Sequence, residues 1–212
     1  MKKITELLLA DLSKGELINN LFNRLESYFY LNNEEKVILK ENHDKVLQRL
    51  ELCFSRVENK YYKKEGYIWF SYLHSGQYLT YLYLFAHVLY FKHNDLSSKL
   101  YYLNKILHGV DILGAVELPE SFFFEHPLGL VLGRAKYGNR FFAMQGCTVG
   151  GNKDKYPTLG QNVKMYSNSK VLGSSIIGDN VVIAANSYIK DQNIDSNCLV
   201  FGQSPNLIIK TI

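Results

Sequence analysis

His126 is the one histidine beyond residue 108; His43, His74, His87, His93 and His108 all precede it. It lies in the segment Glu125-His126-Pro127-Leu128-Gly129, and Asp111 stands 15 residues earlier. A carboxylate that holds an imidazole by one ring nitrogen leaves the other free to take a proton, so an Asp–His pair can form a general base. Competing chemistries have weaker footing. Cys53, Cys147 and Cys198 are far apart, odd in number and without a CxxC spacing, so neither a disulfide framework nor a zinc site is expected. A metal held by imidazoles needs several histidines. Cys147 as a nucleophile has no visible partner, and no Walker or dinucleotide glycine pattern occurs. Gly150-Gly151 precedes the polar run Asn152 to Tyr156; it reads either as a solvent loop or as a place where a ligand approaches the backbone closely.

What must position Asp111 and His126 is visible in a period of six. Leu159, Met165, Val171, Ile177, Ile183 and Ile189 recur at every sixth position. A helix repeats near 3.6 and a strand at 2, so this rhythm is a short strand, a turn and the same again: a parallel β-helix. The column Val163, Ser169, Ser175, Val181, Ser187 supplies the small or β-branched residues of tight corners. Ile112, Leu118 and Phe124, then Val131, Tyr137, Ala143 and Val149, continue the rhythm upstream in shifted registers. One triangular coil takes about 18 residues, which puts Asp111 and His126 on neighbouring coils. The register breaks at 125–130, where His126 lies, and at 150–158. Interruptions of a solenoid are common places for function.

Residues 1–108 have a different texture and read as helical. Met1 to Leu12 reads as an opening helix, because Glu6 and Asp11 interrupt its apolar run and no cleavage pattern follows. Asn33 is a candidate N-cap, and Asn94 or Asp95 another, with Gly109 as a stop. From Tyr67 to Phe91 there is no charged residue, but Ser71, His74, Gln77, Thr80 and His87 fall inside it, so a buried Tyr-rich helix or helix pair is expected, with membrane association as the lesser alternative. A hydrophobic share of 47% allows a packed core, and a net charge of +4, spread along the chain, gives no reason to expect a nucleic-acid partner.

The ordered motifs from Val110 to Pro205 resemble the serine O-acetyltransferases, a family of hexapeptide-repeat acyltransferases. The matching segments are Val110-Asp111-Ile112, the Glu-His-Pro-Leu-Gly segment with Val131-Leu132-Gly133, and Gln145 to Gly151. They continue with Lys170 to Gly173, Ile177 to Asn180 and Gly202 to Pro205. Gly76 and Ala86-His87 extend the resemblance more weakly into the helices.

The resemblance implies an α+β chain. An N-terminal all-helical domain (1–108) precedes a left-handed parallel β-helix, the hexapeptide-repeat solenoid (109–212). It implies a cytoplasmic O-acetyltransferase that uses acetyl-CoA as cosubstrate, needs no metal, and assembles as a homotrimer or a dimer of trimers. His126 falls on the family's catalytic base, Asp111 on its orienting aspartate and Glu125 on the acid before the histidine. Small residues at Ser167, Ala184 and Ala185 would leave room for the pantetheine arm. Gly202, Ser204 and Pro205 would close the groove, Lys190 or Lys210 would meet phosphate, and Gly150-Gly151 would face the acyl group.

The sequence departs from the family where an Arg-His pair precedes a proline; here Lys155 and Tyr156 precede Pro157. A helical-domain acid near the family's acceptor site appears as Tyr61, while Glu65 keeps the next one. The acyl-donor machinery thus looks complete and the acceptor pocket rebuilt. The first expectation is transfer to a hydroxyl other than free serine, such as a sugar of a surface-polysaccharide precursor. Serine remains the alternative, and a non-catalytic trimeric scaffold, with the C-terminal Ile212 as a docking residue, is a third.

Overall fold

In the computed structural model, which describes residues 1–212, the chain forms two compact units. One comprises Met1–His108 with Leu113–Ala115, the other Gly109–Ile112 with Val116–Ile212.

The first unit does not open on a helix. Leu8 and Ala10 are buried while Leu7 is exposed, an alternation of period two that belongs to a strand. The opening segment forms β1 (Lys2–Lys3) and β2 (Leu8–Ala10), paired antiparallel. Two helices follow, α1 (Lys14–Glu26) and α2 (Asn33–Ser55), each started by a capping box: Ser13 with Glu16, and Asn32 with Glu35. The second cap is thus one residue before the expected Asn33. β3 (Lys63–Lys64) and β4 (Tyr67–Phe70) complete a small sheet of order β1-β2-β4-β3. The uncharged stretch from Tyr67 is therefore a strand followed by one buried helix, α3 (Ser75–Leu89), and only the second part matches the expected helix or helix pair. α3 packs against α2 and against α4 (Asn94–His108), and every residue from Gly76 to Ala86 is buried. A helix apolar all round belongs inside a bundle or a membrane, and no helix here is long and apolar enough to cross one. Gly109 ends α4 at φ +63°, a value glycine adopts without steric cost.

The second unit is a left-handed parallel β-helix with three faces. Face I carries the strands Asp111–Ile112, Val131–Leu132, Thr148–Gly150, Lys170–Leu172 and Tyr188–Lys190. Face II carries Phe122–Phe124, Phe141–Ala143, Lys164–Met165, Val182–Ile183 and Cys198–Gln203. Face III carries Lys136–Tyr137, Thr158–Leu159, Ile176–Ile177 and Asn193–Ile194. Inside, three columns stack in register. They are Ile112/Leu132/Val149/Val171/Ile189, Phe124/Ala143/Met165/Ile183/Val200 and Tyr137/Leu159/Ile177/Ile194. All six residues of the regular sequence column are inside, none more than 2% exposed. One position differs from expectation: Leu132, not Val131, points inward, and Val131 is 39% exposed.

The corners cost backbone energy and return it in two ways. Arg140, Asn162, Asn180 and Asn197 take φ between +54° and +61°, each at about 1–2 kcal/mol. Asn162 donates to Asn180 (3.1 Å) and Asn180 to Asn197 (3.0 Å), a ladder that offsets part of this. Burial of an inward aliphatic contributes about 1.5–3 kcal/mol, and each regular coil has three, so burial outweighs the turns. Cys147 joins the interior, its thiol donating to the Tyr166 carbonyl at 3.1 Å, which removes it as a nucleophile. The last strand, Asn206–Thr211, folds back antiparallel on Cys198–Gln203, and the Ile212 amide donates to the Asn197 carbonyl (2.8 Å).

Candidate active site

The two corners that flank face I are where the rhythm of six is broken. At the corner from face II to face I, six positions separate Ala143 from Val149, Met165 from Val171 and Ile183 from Ile189, but eight separate Phe124 from Leu132. The two extra residues form the bend that carries His126. This bend is folded on itself by Leu130 N–H to the Pro127 carbonyl (3.0 Å). It is tied to the start of the coil by Gly129 N–H to the Gly109 carbonyl (2.9 Å) and Asp111 N–H to the Leu130 carbonyl (2.8 Å). Asp111 and His126 therefore belong to one corner, linked through the backbone.

His126 is exposed and takes φ +49°. Left-handed backbone is uncommon outside glycine and asparagine, and strain of this kind concentrates at functional sites. Glu125, half-buried, is anchored by its amide to the Ala143 carbonyl (3.2 Å). Along the same edge of the prism stand Ser167, then Ala184 and Ala185; the Asn186 amide donates to the Ser167 carbonyl (2.9 Å), which sets the two corners in line. The corner of the coil between His126 and Ser167 carries Met144 and Gln145, and the small side chains stand further along the edge.

At the other corner, from face I to face III, six positions separate Val171 from Ile177 but ten separate Val149 from Leu159. The surplus is a tight hairpin. Asn152 and Lys155 exchange backbone hydrogen bonds (2.9 and 3.1 Å) around Lys153 and Asp154, both at positive φ, the geometry of a type I′ turn. The Asn152 amide group donates to Asp191 (3.3 Å), whose carboxylate also accepts from the Ser174 N–H (2.9 Å) and hydroxyl (3.1 Å). The Ser174 amide, foremost among these donors, holds the Asp191 carboxyl below the ordinary carboxylate range. Tyr156 then lies against Gly151, where a Cβ would come within 2.6 Å of the ring. The Arg134 guanidinium carbon sits 4.6 Å from the centre of that ring. Composition and motif gave no reason to single out Arg134.

Gly150, Gly151, Lys155 and Tyr156 are therefore on one margin of face I, and His126, Ser167, Ala184 and Ala185 on the other. Within one chain the structure does not bring the two groups together. Above them, the turn Ser204-Pro205 meets face I: the Ser204 hydroxyl accepts from the Lys190 amide (2.9 Å) and the Ser204 amide donates to the Tyr188 carbonyl (2.8 Å). Gly202, Ser204, Pro205 and Lys190 are thus gathered at one end of the solenoid. Lys210 instead lies over the Phe201 ring, 5.8 Å from its centre. In the helical unit, Tyr61 lines a surface cleft of about 380 Å³ with Lys60, Lys63, Trp69, His74 and Gln77.

Residues 156–191 match the model of the bacterial transferase hexapeptide family, described as six repeats. Fold and repeat together place the solenoid in the hexapeptide-repeat class. Among curated proteins, the serine acetyltransferase of Synechococcus elongatus is 33% identical over 132 residues, 59% of this chain and 54% of that one. The chain belongs to the serine O-acetyltransferase family. It spans between about half and two thirds of the length of the curated relatives it matches. Among solved structures, the Neisseria gonorrhoeae serine acetyltransferase in complex with serine has a TM-score of 0.69 at 21% identity, covering 90% of this chain and 82% of that one. A serine acetyltransferase in complex with CoA has a TM-score of 0.68 at 19% identity, covering 93% and 84%.

Proposed function

We propose that this protein is an acetyl-CoA-dependent serine O-acetyltransferase, with His126 as its general base. The observation that carries the reading is the two-residue bulge that presents His126, on a left-handed backbone, at the edge that Ser167, Ala184 and Ala185 continue in later coils, and that ties its bend to Asp111. A hydroxyl is a poor nucleophile at neutral pH. His126 takes the serine hydroxyl proton as the oxygen attacks the thioester carbonyl, and Asp111 orients the imidazole and favours the imidazolium. The tetrahedral intermediate collapses to the O-acetyl ester, and His126 returns the proton to the departing CoA thiolate. Help of this kind is worth about 10²–10⁴-fold in rate.

The relatives support serine over a sugar as acceptor, since those compared carry serine in their names. The sugar expectation rested on Lys155 and Tyr156 standing where the family has an Arg-His pair; the Tyr156 ring lies against Gly151 and under the Arg134 guanidinium. The separation of the two groups of site residues across face I supports a homotrimer in which neighbouring edges meet and the acetyl-CoA lies between them. The chain then contributes His126 to one site and the Tyr156 corner to the next.

The test is CoA-thiol release from acetyl-CoA against serine, other amino acids and sugars, for wild type and His126→Ala. The expected result is turnover of serine that falls about 10²–10⁴-fold in the variant, with the KM for acetyl-CoA little changed. A folded His126→Ala protein with full activity would sink the mechanism. Preference for a sugar would overturn the acceptor, and failure to bind acetyl-CoA would favour a scaffold.

A further inference from the structure

Serine as acceptor carries a carboxylate as well as the hydroxyl that reacts, and the site must hold it for the hydroxyl to be aimed. Tyr156 offers only a phenol, and Lys155 a flexible point charge. Arg134 is different. It sits in the corner Gly133–Lys136, directly below the hairpin, and both ends of that corner are pinned: the Gly133 amide donates to the Val149 carbonyl (2.8 Å) and the Lys136 amide to the Pro157 carbonyl (3.0 Å). Its guanidinium lies over the Tyr156 ring, and that ring is the only side-chain partner it has. A guanidinium stacked on an aromatic face loses freedom but keeps its in-plane N–H fork, the geometry that matches a carboxylate with two hydrogen bonds. The platform is itself rigid, since the hairpin is held through Asn152 to Asp191.

We propose that Arg134, braced by Tyr156, binds and orients the carboxylate of the amino-acid acceptor. The proposal rests on the serine acetyltransferase reading above. It also deepens it: the cation that Lys155-Tyr156 lacks in fork geometry is supplied from the coil below, 22 positions earlier in the chain. Because Arg134 and His126 occupy opposite margins of face I, Arg134 serves the site completed by the partner subunit's His126.

The experiment compares L-serine with L-serinamide, which keeps the hydroxyl and the amine but has no carboxylate, in wild type, Arg134→Gln and Arg134→Lys. Arg134→Gln is expected to raise the KM for serine about 10- to 100-fold, the worth of a charge-assisted pair. The KM for acetyl-CoA and the kinetics with serinamide stay as in wild type, and Arg134→Lys falls between. A wild type that uses serine, with an Arg134→Gln variant whose KM for serine is unmoved, overturns the role of Arg134 alone. Equal losses with serine, serinamide and acetyl-CoA assign Arg134 to packing and also overturn it. A wild type that neither binds nor acetylates serine overturns the acceptor reading, and this proposal with it.

Discussion

His126 is held by three backbone hydrogen bonds in its bend, and its side chain remains exposed, so the residue is fixed in place without being used up. Asp111→Asn keeps the size of the side chain and removes the charge that favours imidazolium. It is expected to lower kcat about 10-fold or more, less than His126→Ala, with the KM for acetyl-CoA preserved. At Gly151 the forecast concerns shape. A Cβ there meets Tyr156 Cε1 at 2.6 Å, so Gly151→Ala displaces the ring from Arg134 and raises the KM for the acceptor while leaving acetyl-CoA binding intact. Steady-state kinetics with each substrate varied in turn check both. That Asp111 and the bend of His126 share a corner was legible in the sequence, because coil length puts a spacing of 15 near one full turn. The Arg134–Tyr156 pairing was not, because the intervening stretch includes the hairpin, whose length breaks that relation.

At the scale of elements, the solenoid depends on close approach at its corners and the helical unit on buried histidines. A Cβ on Gly138 would stand 2.3 Å from the Gly160 carbonyl oxygen, and one on Gly160 would stand 2.8 Å from the Gly178 carbonyl carbon. Gly160→Ala is therefore expected to destabilise the protein by about 1–3 kcal/mol, as overpacking does. Gly15→Ala in α1, with nothing within 4 Å, stabilises it by up to about 0.5–1 kcal/mol. Denaturant midpoints of the two variants should move in opposite directions, and a neutral Gly160→Ala would refute the stacking argument.

In the helical unit, burial lowers both His43 and His108 to about 4 from the ordinary 6.5. His43 shares a 3.0 Å hydrogen bond with the Tyr81 hydroxyl and stacks on Phe85. The unfolded chain binds the extra protons between these two pKa values, so stability is present at neutral pH and is lost as pH falls from about 6.5 towards about 4, by roughly 3 kcal/mol per histidine at most. Thermal melts of the helical far-UV signal across that window measure it. A flat profile would mean the two rings are not buried neutral. These helices were legible through their caps and periodicity. The opening hairpin was not, because its strands are two and three residues long and Leu7-Leu8-Leu9 reads equally well as a helix face until Ile68 pairs with Leu8.

For the whole molecule the open point is assembly, and the separation of His126 from Arg134 makes it testable. If copies share sites, His126→Ala and Arg134→Gln chains refolded together turn over serine, at concentrations near the wild-type KM, faster than the mean of the two variants refolded alone. Random trimers give intact sites at about a quarter of their interfaces. No gain, with trimers formed, would place each site within one chain. The solenoid, the register of its regular stretch from Leu159 to Ile189, its two interruptions and the residue in the first of them were all readable from the chain. The reason is that a repeat stacks each residue on its counterpart one coil away, so position along the chain is already position in space. It took the folded molecule to show which interruption stands at which edge, that the second is a hairpin anchored to Asp191, and that Arg134 lies on Tyr156. Those depend on how many residues leave the repeat and how they fold back, and a period carries no information about residues that depart from it.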